Sequence, residues 1–128
     1  MASRIGILLT CWLASQPICQ AGETRGTASW YSTESCSFNV NPTCPTASGA
    51  SLYDLERQGV PYAASWDYPF GTWLRVCRAD QPGRCVKVVV LDRGPAKRLG
   101  RLIDLNKTSF QQLAPLTSGL VSVQIEPS

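Results

Sequence analysis

The sequence predicts a small, mainly β domain closed into a barrel, and three observations carry that expectation. Its apolar segments are short and rich in β-branched and aromatic residues, as strands are. Proline and glycine punctuate the chain between them, and a single stretch reads as a helix. No internal repeat is present, and the sum of short strands, one small helix and no repeat argues for a barrel over a βαβ sheet. With 128 residues the chain has surface enough for one core only. A hydrophobic content of 44% with charges of both signs argues against disorder, and no apolar run reaches the ~20 residues of a membrane-spanning helix.

The N-terminus reads as an export signal. Arg4 supplies a positive start, Ile5 to Ala14 an apolar stretch and Gln20-Ala21 a small-residue exit, so cleavage is expected after Ala21, leaving a mature domain over 22–128. Lipid anchoring at Cys19 is not expected, because Gln16-Pro17-Ile18 lacks the leucine and small residues such processing requires. Losing the signal removes Cys11 and Cys19 and leaves Cys36, Cys44, Cys77 and Cys85, an even set bound for an oxidising compartment. Four cysteines allow three pairings. Cys36 with Cys44 and Cys77 with Cys85 is favoured, since each pair closes a short loop around turn residues, Asn41-Pro42 in one and Pro82-Gly83 in the other. Zinc is disfavoured, because neither pair has close metal-type spacing and the chain has no histidine.

Taken in order, Thr27 to Tyr31 is small, β-branched and aromatic and reads as a first strand. The next thirty residues, broken by Pro42, Pro45, Gly49, Gly59 and Pro61, are expected to be mostly loop. Trp73 to Arg78 and Cys85 to Leu91 flank Asp80-Gln81-Pro82-Gly83 and form a hairpin clipped by a disulfide. Leu102 to Leu105 is a further strand, and Asn106 is placed to cap a helix over Lys107 to Leu113, with Phe110 and Leu113 on its inner face. Val121 to Glu126 alternates cleanly and closes the sheet with its valines and isoleucine inward.

The absence of histidine excludes Ser-His-Asp and Cys-His nucleophilic sites and histidine-based zinc catalysis. No glycine run ends in Gly-Lys-Ser/Thr, so no phosphate-cradling loop of that kind is present. Proton transfer therefore falls to a carboxylate, a tyrosine or a lysine. Asp92 stands out: it ends the apolar run Val88-Val89-Val90-Leu91 and precedes Arg93-Gly94-Pro95, so the strand crosses the core and breaks sharply at its rim, where a general acid can sit. Pattern by itself favours a plainer part for it, a turn aspartate bonded to its own backbone. Asp104 interrupts Ile103 and Leu105 and faces either the same groove or solvent. Trp30, Tyr31, Trp66, Tyr68 and Trp73 have flat rings suited to sugar faces, although core packing is the stronger expectation for Trp30 and Trp73.

In order along the chain, Gly26-Thr27-Ala28-Ser29-Trp30-Tyr31, Thr46-Ala47-Ser48-Gly49, Tyr53-Asp54, Ala63-Ala64, Pro69 to Val76, Val88 to Pro95 and Ile103-Asp104-Leu105-Asn106 resemble the landmarks of the rare-lipoprotein-A-like double-psi β-barrel. The resemblance covers nearly all of the mature chain. It implies a six-stranded double-psi barrel with an open groove for polysaccharide, a barrel shared with the expansins, and the best-known members are septal-ring lytic transglycosylases of peptidoglycan. It places the acid/base at Asp92 and glycan-binding or orienting groups at Thr27, Tyr31, Ser65 and Asp104, reversing the weighting that pattern gave Asp92. Ser65 stands where the family usually has histidine, and Ala50-Ser51 where a glutamate commonly follows.

The expected function is cleavage of cell-wall glycan. The alternatives are an expansin-like binding module without chemistry, or a disulfide-stabilised inhibitor or interaction domain on the same scaffold. The expected partner is peptidoglycan or another wall polysaccharide, met by a monomer in the periplasm, cell envelope or medium, with no cofactor, metal or stable membrane insertion. A formal charge of +3, falling to +2 without Arg4, is too mild for nucleic acid. The late cluster Arg93, Lys97, Arg98, Arg101 and Lys107 reads as solvated surface, with attraction to an anionic polymer as the alternative.

Overall fold

The computed structural model describes residues 23–36 and 43–128; the expected signal over 1–21 lies outside the described residues. Six strands, β1 (Thr24–Tyr31), β2 (Tyr62–Ala64), β3 (Trp73–Arg78), β4 (Cys85–Asp92), β5 (Ile103–Asn106) and β6 (Val121–Pro127), close into a barrel in the order β1-β5-β2-β4-β3-β6. Two short helices, α1 (Leu52–Arg57) and α2 (Lys107–Gln111), accompany them. The pairs β1–β5 and β2–β4 are parallel and the other four are antiparallel. This is the mainly β, six-stranded double-psi barrel that the sequence led us to expect, and both local disulfides, Cys36–Cys44 and Cys77–Cys85, are formed.

Alternation along each strand decides what the barrel contains. Ala28, Ala63, Leu74, Val76, Val88, Val90, Ile103, Leu105, Val123 and Ile125 point inward and are almost wholly buried. Phe110 and Leu113 plug the core from α2 and the turn after it, as their spacing predicts. The hairpin is in register from Trp73 opposite Val89 to Cys77 opposite Cys85, so its disulfide joins directly paired residues. A second, smaller core lies on the outside of the barrel, where Leu52 and Leu55 of α1 cover Tyr62, with Tyr31 and Leu91 packed beside them.

The thirty residues after Tyr31, expected to be mostly loop, hold α1, and β2, a strand not expected from the sequence, follows directly after them. The helix has its own signals: the Ser51 side chain accepts the Asp54 N–H, Leu52 and Leu55 share one face, and Gly59 follows the last turn at φ +71°. The three residues of β2 are all buried and too few to show alternation. Asn106 occupies the N-cap position of α2 but makes no side-chain cap bond, and its Oδ1 is buried without a partner. Trp73, expected in the core, is exposed instead, because its neighbour Leu74 takes the inward position. Trp30 does pack against the core.

Gly26 in β1 is a close-approach position: a Cβ there would lie 2.8 Å from both Cβ and Cδ2 of Leu102. Since the Leu102 Cβ is fixed to its backbone, Gly26→Ala must push the β1–β5 edge apart, at a cost of about 1–3 kcal/mol. Urea denaturation of this variant is expected to show a lower midpoint at unchanged slope, and an unaltered midpoint would show that the contact relaxes freely.

Candidate functional site

Two carboxylates reach one outward face of the barrel by different routes. In β5 simple alternation suffices, because Ile103 and Leu105 are buried and Asp104 between them must face out. In β4 alternation would turn Asp92 inward with Val88 and Val90. A β-bulge prevents this: Ala63 pairs with Val90 but Ala64 pairs with Asp92, so Leu91 and Asp92 together oppose one residue of β2. Ala64 also pairs with Asp104 on its other side. The two aspartates therefore flank Ala64, about 10 Å apart at Cα by the spacing of strands.

Asp92 is held by three donors from three segments. Its Oδ1 accepts the N–H of Ala47 at 2.8 Å and of Arg93 at 2.9 Å, and its Oδ2 accepts the Tyr31 hydroxyl at 3.1 Å. The loop supplying Ala47 is itself closed by Thr46, which accepts Gly49 N–H and donates to the Ala50 carbonyl, and it is tied to β4 by Ser48 N–H on the Leu91 carbonyl. Asp104 Oδ1 accepts the hydroxyl of Ser29, its paired residue on β1. Thr27, Ser29 and Tyr31 lie on one face of β1, since Ala28 between them points inward, and Thr27 is partly exposed. Burial first, and then the charge of Asp92 and the hydrogen bond to it, push the Tyr31 phenol far above its ordinary range. Tyr62, edge-on to it at 5.7 Å, is pushed up by burial and by its bond to Glu56.

The residues after Asp92 fold back over the same face. Gly94, at φ +148°, lies against Ala64 and beside Asp104 Oδ2, a backbone conformation that side chains rarely adopt. Arg93 is not the solvated surface charge expected of it: its Nη1 donates to the carbonyls of Ser65 at 2.8 Å and Tyr68 at 2.9 Å, and its Cζ stands 3.9 Å from the centre of the Phe70 ring. Ser65 is 2% exposed, with its hydroxyl accepting Asp67 N–H and its own N–H on the Asp92 carbonyl. It supports the wall of the site from beneath. A separate cleft of about 350 Å³, lined in part by Glu56, Lys87 and Asn106, lies towards the other end of β2 and β4 and takes in neither aspartate.

Of the residues singled out from sequence, the fold brings Asp92, Asp104 and Tyr31 together, aligns Thr27 with them along β1, and encloses Ser65. Sequence reasoning missed Ser29, Ala64 and the backbone of Ala47. Ser29 was within reach of alternation between Ala28 and Trp30; the other two depend on pairings that only the closed barrel creates.

Residues 23–125 match the model of a family described as lytic transglycolase. The chain belongs to that family. Among solved structures, an expansin from Clavibacter michiganensis resembles this lytic transglycolase domain both as a mutant in complex with cellohexaose, at 19% identity, and as the apo protein, at 22%. Each has a TM-score of 0.59 and covers 83% of this chain, which spans only 50% of the expansin. The Streptomyces papain inhibitor has the same TM-score of 0.59 at 21% identity, covering 83% of this chain and 94% of its own. At these identities the likeness is one of fold. No curated protein sequence matches the chain.

The two buried phenols give this family member a pH signature. Tyrosine in an unfolded chain ionises near pH 10, whereas folded Tyr31 and Tyr62 hold their protons well beyond it. Above about pH 10 the folded state thus binds more protons than the unfolded state, and stability falls as pH rises, by up to about 1.4 kcal/mol per pH unit for each tyrosine. Unfolding free energies between pH 9 and pH 11 should show this fall, and Tyr31→Phe or Tyr62→Phe should flatten it. A slope unaffected by both substitutions would rule these phenols out as its source.

Proposed function

We propose that this domain is exported to the cell envelope and cleaves peptidoglycan glycan strands as a lytic transglycosylase, with Asp92 as the acid/base. The observation that carries the reading is the placement of Asp92 and Asp104 on one outward face, one on each side of Ala64. Membership of the lytic transglycolase family supports it, and the two disulfides suit an oxidising compartment.

In such a cleavage the Asp92 carboxyl group protonates the glycosidic oxygen as the C1–O bond breaks. The resulting carboxylate then takes the proton from the sugar's own C6 hydroxyl, whose oxygen closes a 1,6-anhydro ring on C1. One acid/base residue is sufficient, whereas hydrolysis usually needs a second carboxyl group to activate water or to form a covalent intermediate. Two backbone N–H groups fix Oδ1, so Oδ2, which among the described residues accepts the Tyr31 hydroxyl alone, is the oxygen that exchanges the proton. Tyr31, kept neutral by burial, is a donor to that oxygen throughout the working pH range. Asp104 and Thr27 orient the glycan, and Ser65 acts through its backbone by positioning Asp92 and Arg93.

A second reading, a polysaccharide-binding module without turnover, is favoured by two specific features. Both Asp92 oxygens already have protein donors, and Ser65, where the family usually has histidine, brings no titratable group to the face. Sacculi incubated with the protein separate the two readings. We expect release of 1,6-anhydro-muropeptides, measured by mass, and a loss of about 10²-fold or more in Asp92→Asn with sacculus binding retained. Binding by the wild type with no anhydro product would sink the catalytic reading in favour of the second.

A further inference from the structure

Trp66, Phe70 and Trp73 are 48%, 41% and 45% exposed, and with Leu99 and Leu120 they are the large apolar side chains that the described residues leave in solvent. The three aromatics fall in one stretch, and each is set against the strand that delivers Asp92 or against its exit. Trp73 pairs with Val89. Gly71 N–H, directly after Phe70, donates to the Val90 carbonyl at 2.8 Å, and the Phe70 ring stacks on Arg93. Trp66 donates its Nε1–H to the Pro95 carbonyl at 2.7 Å. The three residues thus follow β4 and the segment after it, from Val89 to Pro95.

Water disfavours such exposure, and a run of large apolar side chains left outside marks a binding surface. Two of these rings are also pre-ordered. Trp66 has its N–H satisfied and Phe70 has one face against a guanidinium, so a ligand that stacks on them has little side-chain freedom left to remove. Their chemistry specifies that ligand. Flat apolar faces suit the faces of pyranose rings. A cation accompanies two of the three, Arg93 at Phe70 and Lys97 Nζ at 5.8 Å from Trp66, which calls for negative charge on the same polymer.

We propose that Trp66, Phe70 and Trp73 form a stacking rail for a polysaccharide that carries carboxylates, laid along β4 so that a glycosidic bond comes to Asp92. The rail rests on the polysaccharide reading above and names a part of the site that neither aspartate supplies. It selects an anionic wall polymer over a neutral glucan.

Equilibrium binding to peptidoglycan sacculi and to neutral cellulose tests it, with Trp66→Ala, Trp66→Phe, Trp73→Ala and the double Asp92→Asn/Asp104→Asn, each checked for an unchanged melting temperature. Trp66→Ala and Trp73→Ala are each expected to weaken sacculus binding by about tenfold. Trp66→Phe, which keeps a ring and loses the N–H, should stay within about twofold of wild type. Sacculi should outbind cellulose, by a margin that shrinks with added salt. Wild-type binding in both alanine variants, with loss in the double aspartate variant, would overturn the rail and leave the groove reading standing. Equal loss in Trp66→Phe and Trp66→Ala would assign the effect to the Pro95 bond and overturn stacking. Failure of the wild type to bind either polymer would overturn both.

Discussion

A strand that runs through a barrel core cannot, by alternation, carry a polar residue outward at the position where the next apolar residue should point in. The extra residue in β4 at Leu91–Asp92 solves that conflict for this fold, and the rest of the site follows from it. Leu91 stays on the outside with the small core under α1, and Asp92 turns to the same side rather than into the barrel. Without the bulge Asp92 would sit among Val88, Val90 and Ala63, a carboxylate in an apolar interior. With it, Asp92 meets Tyr31, Ala47 and the outward face that Asp104 reaches from β5.

The bonds on Asp92 tie structure to chemistry in both directions. A hydrogen bond to a charged group contributes about 1.5–3 kcal/mol, and here three donors converge from β1, from the Thr46–Ala50 loop and from Arg93. The carboxylate therefore fastens that loop and the small outer core to the barrel. The same bonds orient it, with the Tyr31 hydroxyl on Oδ2. Arg93, the nearest positive charge in sequence, is turned away onto the carbonyls of Ser65 and Tyr68. Spent on backbone carbonyls, the guanidinium builds the wall of the site instead of pairing with the carboxylate.

The sequence made much of this legible where periodicity is strong. The hairpin, the closing strand, the helix around Phe110 and both disulfides lie where alternation, turn residues and cysteine spacing put them. What it hid was short or non-local. Three residues of β2 show no period, yet Ala64 is the position against which both aspartates are set. A bulge is a property of a pair of strands, so no reading of β4 alone could foresee which way Asp92 points. Trp73 was misplaced because an aromatic on a strand was assigned inward without asking which way Leu74 faced.

Ser65 brings these threads together. Its small hydroxyl is buried and bonded to Asp67, while its backbone supports Asp92 on one side and Arg93 on the other. An imidazole would add a group that titrates near neutral pH; a serine cannot. What the chain has beside that position is Trp66, half-exposed and anchored to Pro95. Together Ser65 and Trp66 form an ordered rim beside Asp92, with Asp104 across Ala64 on the same face. In the proposed reading the ligand is held against Asp92 by contacts rather than by a titratable group at position 65, because binding energy can be spent on positioning the reacting bond.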